Sequence, residues 1–239
     1  MTEDVRQFIA AIGEALGPGR PDPDASGLGP PESFVSRPGP GDAARFLEVL
    51  GALGGEGTLV ASFEGARAAL REILATEHAT SAVRWRHHRL DALCGSPEES
   101  EAAFGCRIEV ADPHVPRAER VARSAAVDAG IVVADFAIAA TGTVVHRSGG
   151  DRLKSVSLLP PILIVVVERR MVSDILSPAI GEIRAWLSEP GIHQGLQMIS
   201  GPSRSSDIEN DLTIGVHGPG KVHVLILGDG NGVSWPPPC

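Results

Sequence analysis

ILIVVV, residues 162–167, is apolar at every position. A strand with one wet face alternates apolar and polar residues, so an unbroken run of six belongs to a strand covered on both faces. That is the signature of a sheet sandwiched between two helical layers. VHVLIL, residues 222–227, reads similarly. The stretch IVVADFAIAATGTVVHRSGG, residues 131–150, contributes two more apolar runs separated by ATGT. Gly142 takes positive φ without steric cost, so a hairpin or sharp strand bend is expected there.

Upstream, GTLVAS (57–62) and SAVRW (81–85) read as short strands flanking EGARAALREILATE (64–77). That helix turns Ala68, Leu70, Ile73 and Leu74 inward, giving a crossover of parallel type. Asp42 is placed to cap a helix carrying Phe46, Leu47, Val49 and Leu50. Residues 87–116 read as a short helix, a strand at 107–110 and turns. RAERVARSAAVDAG reads as a helix closed by Gly130. Val172, Ile175, Leu176, Ala179, Ile180, Ile183 and Leu187 recur at helical spacing, with Pro178 opening a second helix capped by Ser177. The alternation predicts a three-layer α/β/α Rossmann-like sandwich with a mixed, largely parallel sheet.

The expected organisation is a helix within 1–17, a Pro/Gly-rich linker at 18–41, an α/β domain at 42–228 and an irregular tail at 229–239. Seven prolines between 18 and 40 rule out regular structure in the linker.

The chain has 239 residues, 43% apolar, and a formal charge of −9, which argues against a general phosphate-backbone binder. Tyrosine is absent and aromatics total 4%, so a base-stacking platform is not expected. The three cysteines, Cys94, Cys106 and Cys239, contain no CxxC pair. The chain therefore lacks ligands for its own iron–sulphur cluster or zinc ribbon, and no cofactor is expected in it. No apolar run reaches the roughly 20 residues of a membrane helix, and the acidic N-terminus is unlike a signal peptide, so a cytoplasmic protein is expected. GxGxxG, P-loop and GxSxG motifs are absent. The histidines of WRHHRLD and VHGPGKVH lack metal-ligand spacing with partner acids and read as solvated or loop residues, so no metal site is expected.

Ligands of such sheets gather at the carboxyl ends of strands. In QMISGPSRSS (197–206), Ser206 and Glu209 have capping-box spacing, with Asp207 in the first turn of the helix so started. That leaves Ser200, Ser203, Arg204 and Ser205 unexplained. Either they form a plain solvent-facing loop, or, with Gly201, they suit a carboxylate or phosphate. Arg147, Arg152 and Lys154 form a second basic set directly after Thr141, Gly142 and Thr143, whose hydroxyls and open backbone suit the same use. Asp135 lies inside an apolar strand. It is either a hydrogen-bonded structural acid or, with His217, a candidate to move a proton.

ADFAIAATGTVV, SLLPPILIVVV and ISGPSRSSDIENDLTIGVHGPGKVHVLIL together resemble the LUD-domain family, in its lactate-utilisation protein C (YkgG-like) branch. The resemblance runs from about Val132 to Leu227, and more loosely back to about Asp42. It implies a fold similar to the sugar-isomerase and CoA-transferase group. It also implies a part in oxidising L-lactate to pyruvate beside two iron–sulphur companions (A- and B-type), the second carrying its own LUD domain. Ser200, Gly201, Pro202, Ser203, Arg204, Asp207, Glu209, His217, Gly218 and Pro219 match the family pattern. Ala140 departs from it, standing where the family usually has an acid. The alternative reading is an independent enzyme or binding protein for a small carboxylate, phosphorylated or CoA-linked metabolite.

Overall fold

The computed structural model describes residues 42–176, 180, 183, 186, 195–206 and 212–228. The helix expected near the N-terminus, the linker, the tail, and the Ser177–Pro178 helix start lie outside them.

Asp42 caps α1 (Ala43–Ala52), its carboxylate accepting from the backbone N–H of Ala44 and Arg45. β1 (Glu56–Val60), α2 (Phe63–Thr76) and β2 (Ser81–Arg84) follow as predicted. α2 buries Ala66, Leu70 and Leu74, while Ala68, expected inside, is exposed. Residues 87–105 hold two helices rather than one, α3 (His88–Cys94) and α4 (Pro97–Phe104), the second started by a Ser96–Glu99 capping box. β3 (Arg107–Val110) then leads into α5 (Arg117–Ala125).

Gly130 does not close α5. It sits within β4 (Ala129–Val133), where a Cβ would come 1.9 Å from the carbonyl oxygen of Val156. The glycine lets α6 (Lys154–Leu158) lie directly on the strand.

β7 (Ile162–Glu168) is buried at all seven positions, as its apolar run requires. It pairs with β4 on one side and β12 (Lys221–Leu227) on the other. Six strands in the order β1-β12-β7-β4-β2-β3, all parallel, make the main sheet. Its helices form two groups: α2, α3 and α4 touch one another, and α5 touches α6. The expected α/β sandwich is what forms.

The apolar run 131–140 does not stay in one sheet. After β4 the chain turns at Asp135 and enters β5 (Phe136–Ile138), which pairs antiparallel with β6 (Thr143–Ser148). Gly142 makes that hairpin turn at φ 57°. With β8 (Val172–Ser173) and β9 (Gly195–Ile199) they build a second sheet, ordered β8-β5-β6-β9. Val172, read as helical from its spacing, is therefore a strand residue.

The helix expected from Ser206 does not start there. Ser206 ends β10 (Arg204–Ser206), which pairs antiparallel with β11 (Leu212–Ile214). Residues 207–211 are outside the described part. Among the described residues, no helix is long and apolar enough to cross a membrane.

Candidate functional site

The carboxyl edge of the parallel sheet carries a concentration of charge. Asp135 follows β4, its side chain 9% exposed. Arg152 Nη1 lies 2.7 Å from both carboxylate oxygens, and Arg147 donates its backbone N–H at 2.8 Å and Nη2 at 3.3 Å. Burial pushes this carboxyl upward. The charge and hydrogen bond of Arg152, then the N–H and charge of Arg147, outweigh it and hold the group below the ordinary aspartate value.

Aromatic rings fix both guanidinium groups. Arg147 lies 4.3 Å over the Trp186 ring, and Arg152 lies 5.7 Å from the ring centre of Trp85, whose indole N–H donates to Leu153 O. Arg147 Nε is buried and has no hydrogen-bond partner among the described residues.

His87 joins from the end of β2. It caps α3, its Nδ1 accepting from the Arg89 N–H. Burial first, then the charges of Arg152, His88 and Arg89, push its pKa down to about 4, so it is neutral at pH 7. Glu168, the last residue of β7, pairs with Arg89 and Arg170. Below this layer His146 is fully buried, edge-on to Trp85 at 4.9 Å, and joined through Nε2 to Gln197. Burial pushes it to about 4 as well.

The glycine bend and the serine–arginine corner form a separate place. Thr143 Oγ1 lies 2.6 Å from Thr141 Oγ1 and 2.7 Å from Ser200 Oγ. Both loops wrap the carboxyl end of α1. A Cβ on Gly142 would come 2.7 Å from Leu50 N, Gly201 lies against Leu53, and Arg204 donates to the Leu53 carbonyl. Ser203 N–H bonds Pro219 O, which brings Gly218 alongside, while His217 is exposed in the neighbouring turn. The side chain of Ser205 is not described.

The structure thus brings Thr143 and Ser200 together but keeps them from Arg147. Arg147 lies four positions along β6 from Thr143, about 13 Å of extended chain. Lys154 belongs to neither place; it is exposed and lines a groove with Arg117 and Arg120.

His87, Arg89, His146 and Glu168 escaped sequence reasoning. The WRHHRLD histidines read as solvated because nothing local shows that His87 meets Arg152, 65 positions on. The signal available was position: each of Trp85, Asp135 and Glu168 stands at the carboxyl end of an apolar strand.

The LUD domain family model matches residues 43–227. The chain is a member of the LUD domain family. Curated relatives place it on the lactate utilisation protein C branch. The Lactate utilization protein C of Halalkalibacterium halodurans is 30% identical over 164 residues, covering 67% of this chain and 68% of that protein. The protein of the same name from Bacillus licheniformis is 32% identical over 61% of this chain and 60% of the relative. Among solved structures, a DUF162 family protein from Deinococcus radiodurans superposes with a TM-score of 0.55 at 20% identity, over 77% of this chain and 95% of that one. That likeness concerns the fold of this LUD domain.

Proposed function

We propose that this LUD protein is a non-redox component of a lactate-utilisation system, supporting oxidation of L-lactate to pyruvate beside iron–sulphur partner proteins, and that the Arg147–Arg152 edge holds a small carboxylate. The relatives named for lactate utilisation support the pathway. The sequence supports the division of labour, since three dispersed cysteines cannot supply a cluster's four thiolates.

One observation carries the ligand: the buried Arg147 Nε without a described partner, beside Arg152. Two guanidinium groups face one Asp135 carboxylate, and His87 is neutral, so this group of residues carries one positive charge in excess. A monocarboxylate balances it and supplies the acceptor that Nε lacks. Trp85 and Trp186 hold the guanidinium planes in place before the ligand arrives. His87 offers a neutral imidazole beside the same arginines, suited to bond a 2-hydroxyl or 2-oxo group.

Calorimetric titration with L-lactate and pyruvate tests the site. Arg147→Gln keeps the backbone N–H on Asp135 and removes the guanidinium, and is expected to weaken binding on the order of tenfold or more. Unchanged binding overturns the assignment. Pull-down from lactate-grown cells tests the partnership. Cysteine-rich iron–sulphur proteins are expected with the bait, and recovery of the bait alone overturns it.

A further inference from the structure

The opposite edge of the parallel sheet, where strands begin, brings together one imidazole and two carboxylates from three elements. Glu56 opens β1 and is in register with His223 of β12. Registered neighbours in a sheet share a face. Glu77, the C-cap of α2, reaches the same face because α2 packs on both strands.

His223 Nε2 lies 3.0 Å from Glu77 Oε1, and its Nδ1 lies 3.7 Å from Glu56 Oε2. One ligand atom from each of the three residues lies within 4.8 Å of the other two. Glu77 and His223 are nearly enclosed, at 6% and 5% exposure, whereas Glu56 is 75% exposed. Glu56 and His223 line a cleft of about 270 Å³, together with Glu72, Thr58 and Thr76.

Lys221 accounts for one oxygen of Glu77. It does not account for the imidazole. Carboxylates face both ring nitrogens. Two carboxylates, Glu56 and Glu72, line the cleft, and Glu77 is bonded to His223 from the cap of α2.

We propose that Glu56, Glu77 and His223 bind one divalent transition cation of the Zn²⁺ or Mn²⁺ class, with water from the cleft completing its shell. One imidazole nitrogen with carboxylate oxygens suits these ions, whereas Mg²⁺ and Ca²⁺ select all-oxygen sites. Ligand atoms on a tetrahedral Zn²⁺ stand about 3.3 Å apart, given bonds near 2.0–2.1 Å. The His223–Glu77 pair, 3.0 Å apart, is slightly closer than that and would open a little around an ion. Exposed Glu56 supplies the movable ligand, and the 60%-exposed Lys221 head can withdraw into water. Bound there, the ion ties the start of edge strand β1 to β12 and the end of α2.

The test uses the full chain after chelator treatment, titrated by calorimetry with Zn²⁺, Mn²⁺ and Mg²⁺ separately, with Co²⁺ absorption as a spectroscopic readout. One saturable equivalent of Zn²⁺ or Mn²⁺ is expected, with tighter binding than Mg²⁺ and a Co²⁺ ligand-field spectrum. Glu56→Gln alters an exposed side chain that folding does not need. It is expected to weaken binding about tenfold or more. Absence of saturable binding, equal affinity for Mg²⁺, or unchanged affinity in Glu56→Gln overturns the proposal.

Discussion

Nη1 of Arg152 lies 2.7 Å from each carboxylate oxygen of Asp135, across the boundary between the two sheets. Asp135 sits where the chain leaves β4 for β5, and Arg152 follows β6. The pair therefore fastens the second sheet to the first and, in the same act, aims the guanidinium at the strand ends.

Asp135→Asn removes a nearly buried charge and leaves two arginines uncompensated. A loss of about 3–5 kcal/mol in unfolding free energy is expected, read by urea denaturation at pH 7. The pH sign follows from the lowered folded pKa. The wild-type contribution is complete above the unfolded value near 3.9 and is lost as pH falls through the lower folded value. Below about pH 4 the wild-type curve should drop toward that of the variant.

His87 and His146 act in a higher window. Both fold with pKa values near 4 against an unfolded value of 6.5. The unfolded chain binds more protons there, so stability is complete above pH 6.5 and falls toward pH 4, by at most about 1.4 kcal/mol per pH unit for each histidine. Urea midpoints between pH 7 and 4.5 measure the fall. NMR titration should show two imidazoles that stay neutral down to pH 5.

Two glycines separate space from propensity. Gly130→Ala drives a methyl group onto the Val156 carbonyl, and should prevent folding or cost more than about 3 kcal/mol. Gly51 lies inside α1 with nothing within 4 Å of an added Cβ. Gly51→Ala should stabilise by about 0.5–1 kcal/mol. Thermal melts of the two variants should move in opposite directions.

The Thr143–Ser200 bond joins β6 to the loop after β9. Ser200→Ala should cost about 1 kcal/mol. Thr143→Val should cost more, because it strips both Ser200 and Thr141 of their partner. Lactate titration should be unchanged in Ser200→Ala, since this corner is built on α1 and stands apart from Arg147.

Much of the fold can be read from local pattern, because its causes are local. An apolar run fills a strand buried on both faces, as β7 shows. Asp42 sits next to the N–H groups it caps, and Gly142 supplies the positive φ of its own turn. Where a local rule misled, the deciding contact came from far along the chain. Gly130 resembles a helix terminator, but Val156 determines its role. Ser206 and Glu209 have the spacing of a capping box, but pairing with Leu212–Ile214 draws Ser206 into a strand.

The residues of the LUD domain by themselves determined the alternation of strands and helices, the hairpin at Gly142, and the family pattern that places the chain. Short-range sterics, caps and the period of apolar side chains are properties of neighbours in sequence. Only the tertiary structure decided that Arg147 and Arg152 serve Asp135 while Arg204 serves Leu53, and that His223 meets Glu56 and Glu77. Charge partners are chosen by which strand ends and helix ends pack together, and that packing is settled by the whole core.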